Sequence, residues 1–304
     1  MRTMRSRPRA RKRFGQHFLE RAWIEKVIRA IGPQPTDVFL EIGPGPGGLT
    51  RPLAAASSRV VGVEIDRDLA AALEASGLSN LSVVEGDFLA IAPEGLRSRM
   101  FPEGTAAQPV RVAGNLPYNA AAPILFRLLE MHEASLLDGG STAPVLRLVD
   151  ATVMLQREVA GRLLAPVGST DYGVLTILVG RLARIDRLLE LPPGAFRPPP
   201  KVCSTVVRLT FRPSDPPIRD AAMFTALVRA IFTRRRKTIA NALLAYPPVE
   251  RADIAEVLRR TGIEPRRRPE TLTKDELARL ADAFAFLAPE RRRLVPGTPG
   301  PPVL

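Results

Sequence analysis

The chain has 304 residues, one cysteine, two histidines and a formal net charge of +13. A single cysteine excludes an internal disulfide framework, and with so few cysteines and histidines we expect no metal site. No run of about 18 apolar residues occurs, and no apolar segment follows the Arg-rich N-terminus. We therefore expect a cytoplasmic protein without a membrane span, long enough for one large domain and one small one.

The excess positive charge is confined to the two ends of the chain. Residues 1–13 contain seven basic and no acidic residues, residues 14–212 contain 20 of each, and residues 213–304 contain 17 basic and 11 acidic residues. A neutral body with a basic arm and a basic second domain is typical of an enzyme that acts on a polyanion. An Arg-rich solvated surface is the alternative, but a compositional bias of that kind should spread evenly.

Short β-branched runs alternate with helical stretches in the first half of the chain. The predicted strands are 38–42, 60–65, 81–84, 110–114 and 152–155, and the predicted helices are 49–57, 68–75, 121–132 and 157–164. Residues 97–109 and 135–144 read as surface loops. This alternation predicts βαβ units and a parallel sheet.

Beyond residue 164 the pattern changes. Residues 175–179 and 202–211 predict two strands around the Pro-rich segment 191–200, and hence an antiparallel hairpin at the sheet edge. The remaining elements are a linker at 213–217 and helices over 221–246, 251–262 and 273–288, the last opening with a capping box. The predicted organisation is a basic flexible arm (1–13), an α/β domain (14–213), a helical domain (214–288) and a disordered tail (289–304).

Polar side chains recur where the predicted strands end. Glu41, Glu64, Asp87 and Asn115 follow one another at spacings of 23, 23 and 28 residues, about one βα unit each. Because the carboxyl ends of parallel strands meet at one edge of a sheet, these four residues should converge where open α/β folds bind ligands.

A glycine-rich loop, residues 41–48, follows the first strand and formally matches G-x-G-x-x-G. Glu64 lies 21 residues after Gly43, where an acid would hold ribose hydroxyls. Pro44 and Pro46 weaken a nicotinamide dinucleotide reading, because a pyrophosphate needs backbone N–H donors and each proline removes one. S-adenosylmethionine has a ribose and no phosphate, so it does not need those donors.

Residues 115–118, Asn-Leu-Pro-Tyr, end the strand predicted at 110–114. They place an amide, backbone carbonyls and a flat ring at the sheet edge. Amide and carbonyl oxygens accept hydrogen bonds from an amino group, and a ring stacks on a base. The combination suits methyl transfer to the exocyclic amine of a nucleobase, with an ordinary tight turn as the alternative.

Together these segments resemble the small-subunit (16S) rRNA adenine N6,N6-dimethyltransferase family. The matching segments are colinear and cover roughly 12–245; they are 12–19, 41–48, 63–66, 86–87, 115–118, 156–159, 196–202 and 234–242. The resemblance implies a Rossmann-like class I methyltransferase domain with a mostly parallel seven-stranded sheet, and a small all-helical C-terminal domain. It also implies S-adenosyl-L-methionine as methyl donor, no metal, and dimethylation of two adjacent adenosines in a hairpin near the 3′ end of 16S rRNA, within the 30S subunit or its precursor. We expect a monomer.

The resemblance implies roles for individual residues by position. The cofactor would be held by His17, Leu19, Gly43, Gly45, Glu64, Asp87 and Asn115. The catalytic site would comprise Asn115, Leu116, Pro117, Tyr118 and Phe196. RNA would be bound by Arg11, Lys12, Arg13, Arg234, Arg235, Arg236 and Lys237, the last four opening a helix. His17 stands where many relatives have Asn, and both residues donate and accept hydrogen bonds.

In the expected mechanism the target adenine leaves its stack and lies between Tyr118 and Phe196. The Asn115 side-chain oxygen and the Leu116 carbonyl accept the two N–H bonds of its amine. Three alternatives stay open: a 23S rRNA adenine methyltransferase of the macrolide-resistance type, a small-subunit assembly factor without catalysis and, least favoured, a nicotinamide oxidoreductase.

Overall fold

The computed structural model describes residues 17–101, 108–137, 146–246 and 251–287. Arg11, Lys12 and Arg13, the predicted basic arm, and the predicted tail 289–304 lie outside these ranges. The contacts within the chain separate two compact units, one formed by residues 1–160 and 183–212 and the other by residues 161–182 and 213–304. Among the described helices, none is both long enough and apolar enough to cross a membrane.

The first unit contains nine strands, five whole helices and the beginning of a sixth helix. The strands are β1 (Phe18–Leu19), β2 (Val38–Ile42), β3 (Arg59–Glu64), β4 (Leu81–Glu85), β5 (Val110–Asn115), β6 (Leu148–Gln156), β7 (Ala183–Leu191), β8 (Phe196–Arg197) and β9 (Ser204–Phe211). The helices are α1 (Arg21–Ile31), α2 (Thr50–Ala56), α3 (Arg67–Glu74), α4 (Pro93–Met100), α5 (Ala121–Leu137) and α6 (Arg157–Leu163). The chain passes to the second unit within α6.

Seven of these strands form one sheet in the order β4-β3-β2-β5-β6-β9-β7. Strands β2 to β6 are parallel to one another, and β9 runs antiparallel to both β6 and β7. The chain order reverses between β2 and β5, so the carboxyl ends of these two strands open the crevice where ligands bind in such sheets. The predicted mostly parallel sheet with a late antiparallel pair is confirmed.

The central strands are apolar because both faces of the sheet are covered. All five residues of β2 are buried, and Phe39 and Leu40 are 0% exposed. The sequence at 38–42 is apolar except for Glu41 and is followed by turn residues, and the predicted strand and the observed one coincide.

The strand predicted at 175–179 is wrong. These residues belong to helix α7 (Val174–Leu182), and the edge strand of the hairpin is β7, Ala183–Leu191. Most of α7 is buried, so residues 175–179 show no alternation of apolar and polar side chains. Without that alternation, hydrophobic periodicity cannot distinguish a helix from a strand. Helix α4 also replaces part of the loop predicted at 97–109.

The second unit is helical. Besides α7 it contains α8 (Ala221–Phe232), α9 (Ile239–Ala242), α10 (Arg251–Thr261) and α11 (Lys274–Leu287). The single helix predicted over 221–246 is therefore interrupted by a turn at 233–238. The predicted capping box is present, since the N–H of Glu276 donates to Thr273 Oγ1 at 3.2 Å and the N–H of Thr273 donates to Glu276 Oε2 at 2.8 Å.

The two compact units differ from the predicted domains in one segment. The prediction gave residues 161–182 to the α/β domain, whereas α7 packs against α8 within the second unit. The second unit resumes at Pro213, one residue before the predicted start of the helical domain at 214, and the predicted domain division stays a prediction.

A buried cation ties the end of α1 to the sheet. The guanidinium of Arg111 on β5 donates to Asp37 at 2.7 Å, to Asp150 at 2.9 Å and to the carbonyl of Ile31 at 2.8 Å. Its side chain is 13% exposed. Arg208 on β9 donates to the Ile31 carbonyl as well, at 2.9 Å. The two arginines thus complete the hydrogen bonding of carbonyls that the helix end leaves open.

We predict that Arg111→Met lowers the free energy of unfolding by about 3 kcal/mol, because it leaves two part-buried carboxylates without their main partner. The matched control is Arg21→Met, whose ion pair with Glu25 has side chains 95% and 60% exposed and should change stability by under about 0.5 kcal/mol. Urea unfolding of both variants measures the difference. Equal stability of the two would contradict this account of the network.

Candidate active site

An open cavity of about 830 Å³, its mouth included, lies at the carboxyl edge of the sheet. Its lining comes from residues 17–19, the loop at 41–49, residues 64–65 and residues 115–118. The cavity brings together the strand ends Glu41, Glu64 and Asn115, which the sequence predicted to converge.

The glycine-rich loop has no spare donor between residues 43 and 47. Pro44 and Pro46 have no N–H, and the three remaining N–H groups are engaged within the protein. The N–H of Gly43 donates to Val63 O at 2.9 Å, that of Gly45 to Glu64 Oε2 at 2.8 Å and that of Gly47 to Pro44 O at 3.0 Å. A pyrophosphate would find no cradle here, which argues against the nicotinamide dinucleotide alternative.

Two of these glycines are required by the shape of the loop. Gly43 and Gly45 have φ of +68° and +56°, a region that other residues rarely adopt. A side chain at Gly45 would also meet the Phe18 ring at 3.3 Å. The conformation of the loop therefore favours glycine at both positions.

Glu64 lies at the end of β3 and is 3% exposed. Its Oε2 accepts from the N–H of Gly45 at 2.8 Å and its Oε1 accepts from the N–H of Asp66 at 2.9 Å. Burial raises the pKa of this carboxyl, and the two backbone hydrogen bonds oppose that rise. Each oxygen keeps a second lone pair, so the group is able to accept from ribose hydroxyls as predicted.

Glu41 is a functional candidate to which the sequence assigned no role. It is 1% exposed and lines the cavity, and its Oε2 has no hydrogen-bond partner among the residues that the structure describes. Burial raises its pKa to about 8, the nearby Thr50 side chain opposes the rise, and repulsion by Glu64 adds to it. A cation in the cavity would favour its ionised form.

We predict that Glu41→Gln flattens the pH dependence of stability in the ligand-free protein. The folded-state pKa of about 8 lies above the ordinary 4.5, so the stabilisation is fully present below 4.5 and is lost as the pH rises through 8. The loss is on the order of 4 kcal/mol in the wild type and absent in the variant. Urea unfolding at about pH 5 and about pH 9 measures it. Parallel pH profiles for wild type and variant would refute it, and exposed Glu85→Gln is the control.

Strands β2 and β5 approach closely beside the predicted catalytic residues. A Cβ at Gly114 would lie 2.6 Å from the carbonyl oxygen of Ile42, so only glycine fits there. The next residue, Asn115, donates from Nδ2 to the carbonyl of His17 at 2.7 Å. Leu116 is 1% exposed, and its N–H donates to Met154 O at 3.3 Å.

Tyr118 is held from two sides. Its hydroxyl lies 2.9 Å from Ser204 Oγ, and its ring stacks on the imidazole of His17 with centroids 5.5 Å apart and planes at 26°. Burial raises the pKa of the phenol, so it stays protonated at neutral pH. The ring lines the cavity, as a platform for a base would.

Two predicted site residues lie outside the cavity lining. Asp87 is exposed and accepts from the N–H of Leu89 at 3.0 Å, so its contact with an adenine stays a prediction. Phe196 is 2% exposed and packs in an apolar cluster with Phe39 and Leu191. Its ring is enclosed by the core in this structure, so its contact with the target base stays a prediction.

The predicted RNA-binding residues 234–237 form a turn and do not open a helix. Arg234, Arg236 and Lys237 are exposed. The side chain of Arg235 makes contacts within the second unit. It donates to the carbonyl of Thr170 at 2.6 Å and lies 3.8 Å from the carboxylate of Glu270. A second basic turn at 264–268 joins the first, since the N–H of Ile239 donates to the carbonyl of Arg267 at 2.6 Å.

Comparison with known proteins gives concordant results. The family model described as ribosomal RNA adenine dimethylase matches residues 7–285. A "Ribosomal RNA small subunit methyltransferase A" from Aromatoleum aromaticum is 39% identical, covering 93% of this chain and 97% of that protein. The protein of the same name from Laribacter hongkongensis is 41% identical over 91% of this chain and 97% of its own length.

Two solved structures share the fold. A dimethyladenosine transferase from Plasmodium falciparum superposes with a TM-score of 0.68 at 24% identity, covering 90% of this chain and 98% of that one. The 23S rRNA methyltransferase ErmE superposes with a TM-score of 0.58 at 27% identity, covering 88% and 99%.

Proposed function

The chain belongs to the ribosomal RNA adenine dimethylase family, and on that premise we propose that it dimethylates two adjacent adenosines near the 3′ end of 16S rRNA. The observation that carries this proposal is the meeting of Glu64, Asn115 and Tyr118 in one cavity. The reaction belongs to rRNA processing in the cytoplasm, on the small subunit or its precursor, and we expect a monomer to perform it.

The cavity suits S-adenosylmethionine, the methyl donor that the family implies. When bound, it supplies an electrophilic methyl group carried on a positively charged sulfur. Glu64 is placed to hold its ribose, and Gly43 and Gly45 allow close approach of its methionine part. The unpartnered carboxyl oxygen of Glu41 lines the same cavity, and a bound cation would favour the ionised form of this carboxyl. The absence of a metal from the reaction stays a prediction.

Asn115 and Leu116 would prepare the amine for attack. The nitrogen of an exocyclic amine is a poor nucleophile because its lone pair is shared with the ring. Acceptance of its two N–H bonds by the Asn115 side-chain oxygen and the Leu116 carbonyl localises that lone pair. Residues 115–118 contain no group that takes a proton at neutral pH, so the proton leaves to water and the rate comes from positioning.

Tyr118 would bind the adenine after it leaves its stack. Stacking of a base on an aromatic side chain contributes about 1–3 kcal/mol, and the ring face also stabilises positive charge that develops on the nitrogen. After the first methylation one N–H remains, so the second transfer depends more on this stacking than the first.

Of the alternatives, the 23S rRNA methyltransferase has one observation in its favour, the shared fold of ErmE. The relatives at 39% and 41% identity carry small-subunit names and match nearly end to end, which favours the 16S substrate. A non-catalytic assembly factor is disfavoured, because such a protein would have no need of a complete cavity.

We further propose that the two basic turns of the second unit bind RNA phosphates. Their exposed cations are Arg234, Arg236, Lys237, Arg266 and Arg268. Binding that neutralises phosphates on single-stranded RNA weakens with salt, with a slope of about −0.7 per contact.

The double variant Arg234→Ala, Lys237→Ala should therefore reduce the salt slope of 16S rRNA binding by about 1.4 and weaken binding at low salt by about tenfold. Filter binding across a salt series measures the slope. Arg21→Ala, which removes an exposed cation from the first unit, serves as the control. An unchanged slope in the double variant would rule out these contacts.

The substrate is tested by transfer of labelled methyl from S-adenosylmethionine to unmethylated 30S and 50S subunits. Label in the 16S rRNA of 30S subunits is the expected result. Label in 23S rRNA would move the protein to the resistance type, and no label despite tight 30S binding would support the assembly factor.

A further inference from the structure

We propose that His17 is a positioning residue that backs the ring of Tyr118 and orients the amide of Asn115. The proposal rests on the proposed function, since it takes Tyr118 as the platform for the base and Asn115 as the acceptor for its amine. It goes beyond the predicted cofactor contact of His17.

Three contacts join His17 to the site. Its imidazole stacks on Tyr118 with centroids 5.5 Å apart. Its Nδ1 lies 2.7 Å from the carbonyl oxygen of Pro198, which only accepts, so Nδ1 carries a proton. Its own carbonyl accepts from Asn115 Nδ2 at 2.7 Å.

The third contact decides which way the Asn115 amide faces. With Nδ2 bound to the carbonyl of His17, the side-chain oxygen is turned away from that carbonyl and stays free to accept from the amine. The flipped amide would set two acceptor oxygens against each other, which is repulsive. The backbone of residue 17 therefore orients the acceptor before the substrate arrives.

The first contact decides which face of Tyr118 receives the base. A base stacked between two rings requires their centroids to be about twice the contact distance of roughly 3.5–4 Å apart. The centroids of His17 and Tyr118 are only 5.5 Å apart, so no base fits between them. The adenine must then stack on the opposite face of Tyr118. The ring of His17 covers one face of Tyr118 and supports the platform from behind.

The contacts of the residues next to His17 argue against an arrangement in which His17 moves out of the site when the base enters. The residues that follow it pair with β8, Phe18 beside Arg197 and Leu19 beside Phe196. The N–H of Glu20 donates to the carbonyl of Ala195 at 2.9 Å, and Arg197 forms an ion pair with Glu20. Movement of His17 would also release the amide of Asn115.

The test compares His17→Ala, which removes the ring, with His17→Phe, which keeps a ring and loses the hydrogen bond to Pro198. Each variant is assayed on unmethylated 30S subunits for kcat, KM for the subunit, affinity for S-adenosylmethionine, and the ratio of monomethyl- to dimethyladenosine. At saturating S-adenosylmethionine we expect kcat for His17→Ala to fall about tenfold. Because His17 also lines the cofactor cavity, the affinity for S-adenosylmethionine is measured separately.

The ratio of monomethyl- to dimethyladenosine is the most informative of these measurements. The second transfer has one N–H left to hold the amine, so loss of positioning should make monomethyladenosine accumulate in His17→Ala. His17→Phe should recover a large part of the dimethylation. An unchanged kcat or an unchanged product ratio at saturating S-adenosylmethionine would overturn the proposal. An inactive wild type would instead overturn the proposed function, and this inference with it.

Discussion

Replacement of Asn115 by alanine is expected to lower kcat for methylation of 16S rRNA by about a hundredfold or more. Loss of a single preorganised polar group at a reacting centre commonly costs about 10²–10³ in rate. In this site the lost group is the oxygen that localises the lone pair of the amine, and the Leu116 carbonyl alone cannot hold both N–H bonds. Affinity for S-adenosylmethionine should change much less than kcat.

Two further variants make the result interpretable. Asn115→Asp keeps an acceptor but sets a second carboxylate oxygen against the His17 carbonyl, so it should retain only a small part of the rate. Asn80→Ala is the matched control, because Asn80 bonds the carbonyls of Ala54 and Ser57 away from the cavity and its loss should affect stability without affecting kcat. Single-turnover assays, followed by stopped flow or chemical quench, measure the rate of the chemical step. A rate for Asn115→Ala within threefold of the wild type (about 0.7 kcal/mol) would contradict the assigned role.

Replacement of Glu64 by glutamine is expected to weaken the binding of S-adenosylmethionine by about a hundredfold. The carboxylate accepts from the N–H groups of both Gly45 and Asp66, and glutamine has only one oxygen. Its NH₂ group would face one of those donors, which disturbs the glycine-rich loop as well as the ribose site. At saturating cofactor, most of the kcat should return, because Glu64 does not touch the amine in this account.

Titration calorimetry with S-adenosylmethionine measures this effect directly. Glu85→Gln is the matched control, since Glu85 stands beside Glu64 in the register of β3 and β4 but is exposed and does not line the cavity. Affinities for Glu64→Gln and Glu85→Gln within threefold of each other (about 0.7 kcal/mol) would mean that Glu64 does not hold the cofactor.

The architecture of the sheet could be predicted from the sequence because its central strands are short, apolar and bounded by turn residues. The parallel arrangement then requires their carboxyl ends to share one edge, so Glu41, Glu64 and Asn115 could be grouped without coordinates. The same reasoning explains why the loop at 41–48 could be separated from a dinucleotide site, since the prolines are visible in the sequence.

Other features depend on packing that a sequence does not display. The burial of Phe196 follows from its place beside Phe39 and Leu191, and the helical state of α7 from burial on all sides. Arg235 cannot be distinguished in the sequence from the exposed cations on either side of it, although its side chain forms internal hydrogen bonds. The contact of His17 with Pro198 joins residues 181 positions apart, which no local pattern signals.

The most direct test of the account is the identity of the nucleosides formed in 16S rRNA when unmethylated 30S subunits react with S-adenosylmethionine and the protein. Nucleoside mass spectrometry of the isolated rRNA reads them, with Asn115→Ala as the comparison. The account predicts N6,N6-dimethyladenosine at two adjacent adenosines near the 3′ end with the wild type, and its loss with the variant. Dimethyladenosine formed equally by both proteins, or a methyl group found on any atom other than the exocyclic amine of adenosine, would contradict it.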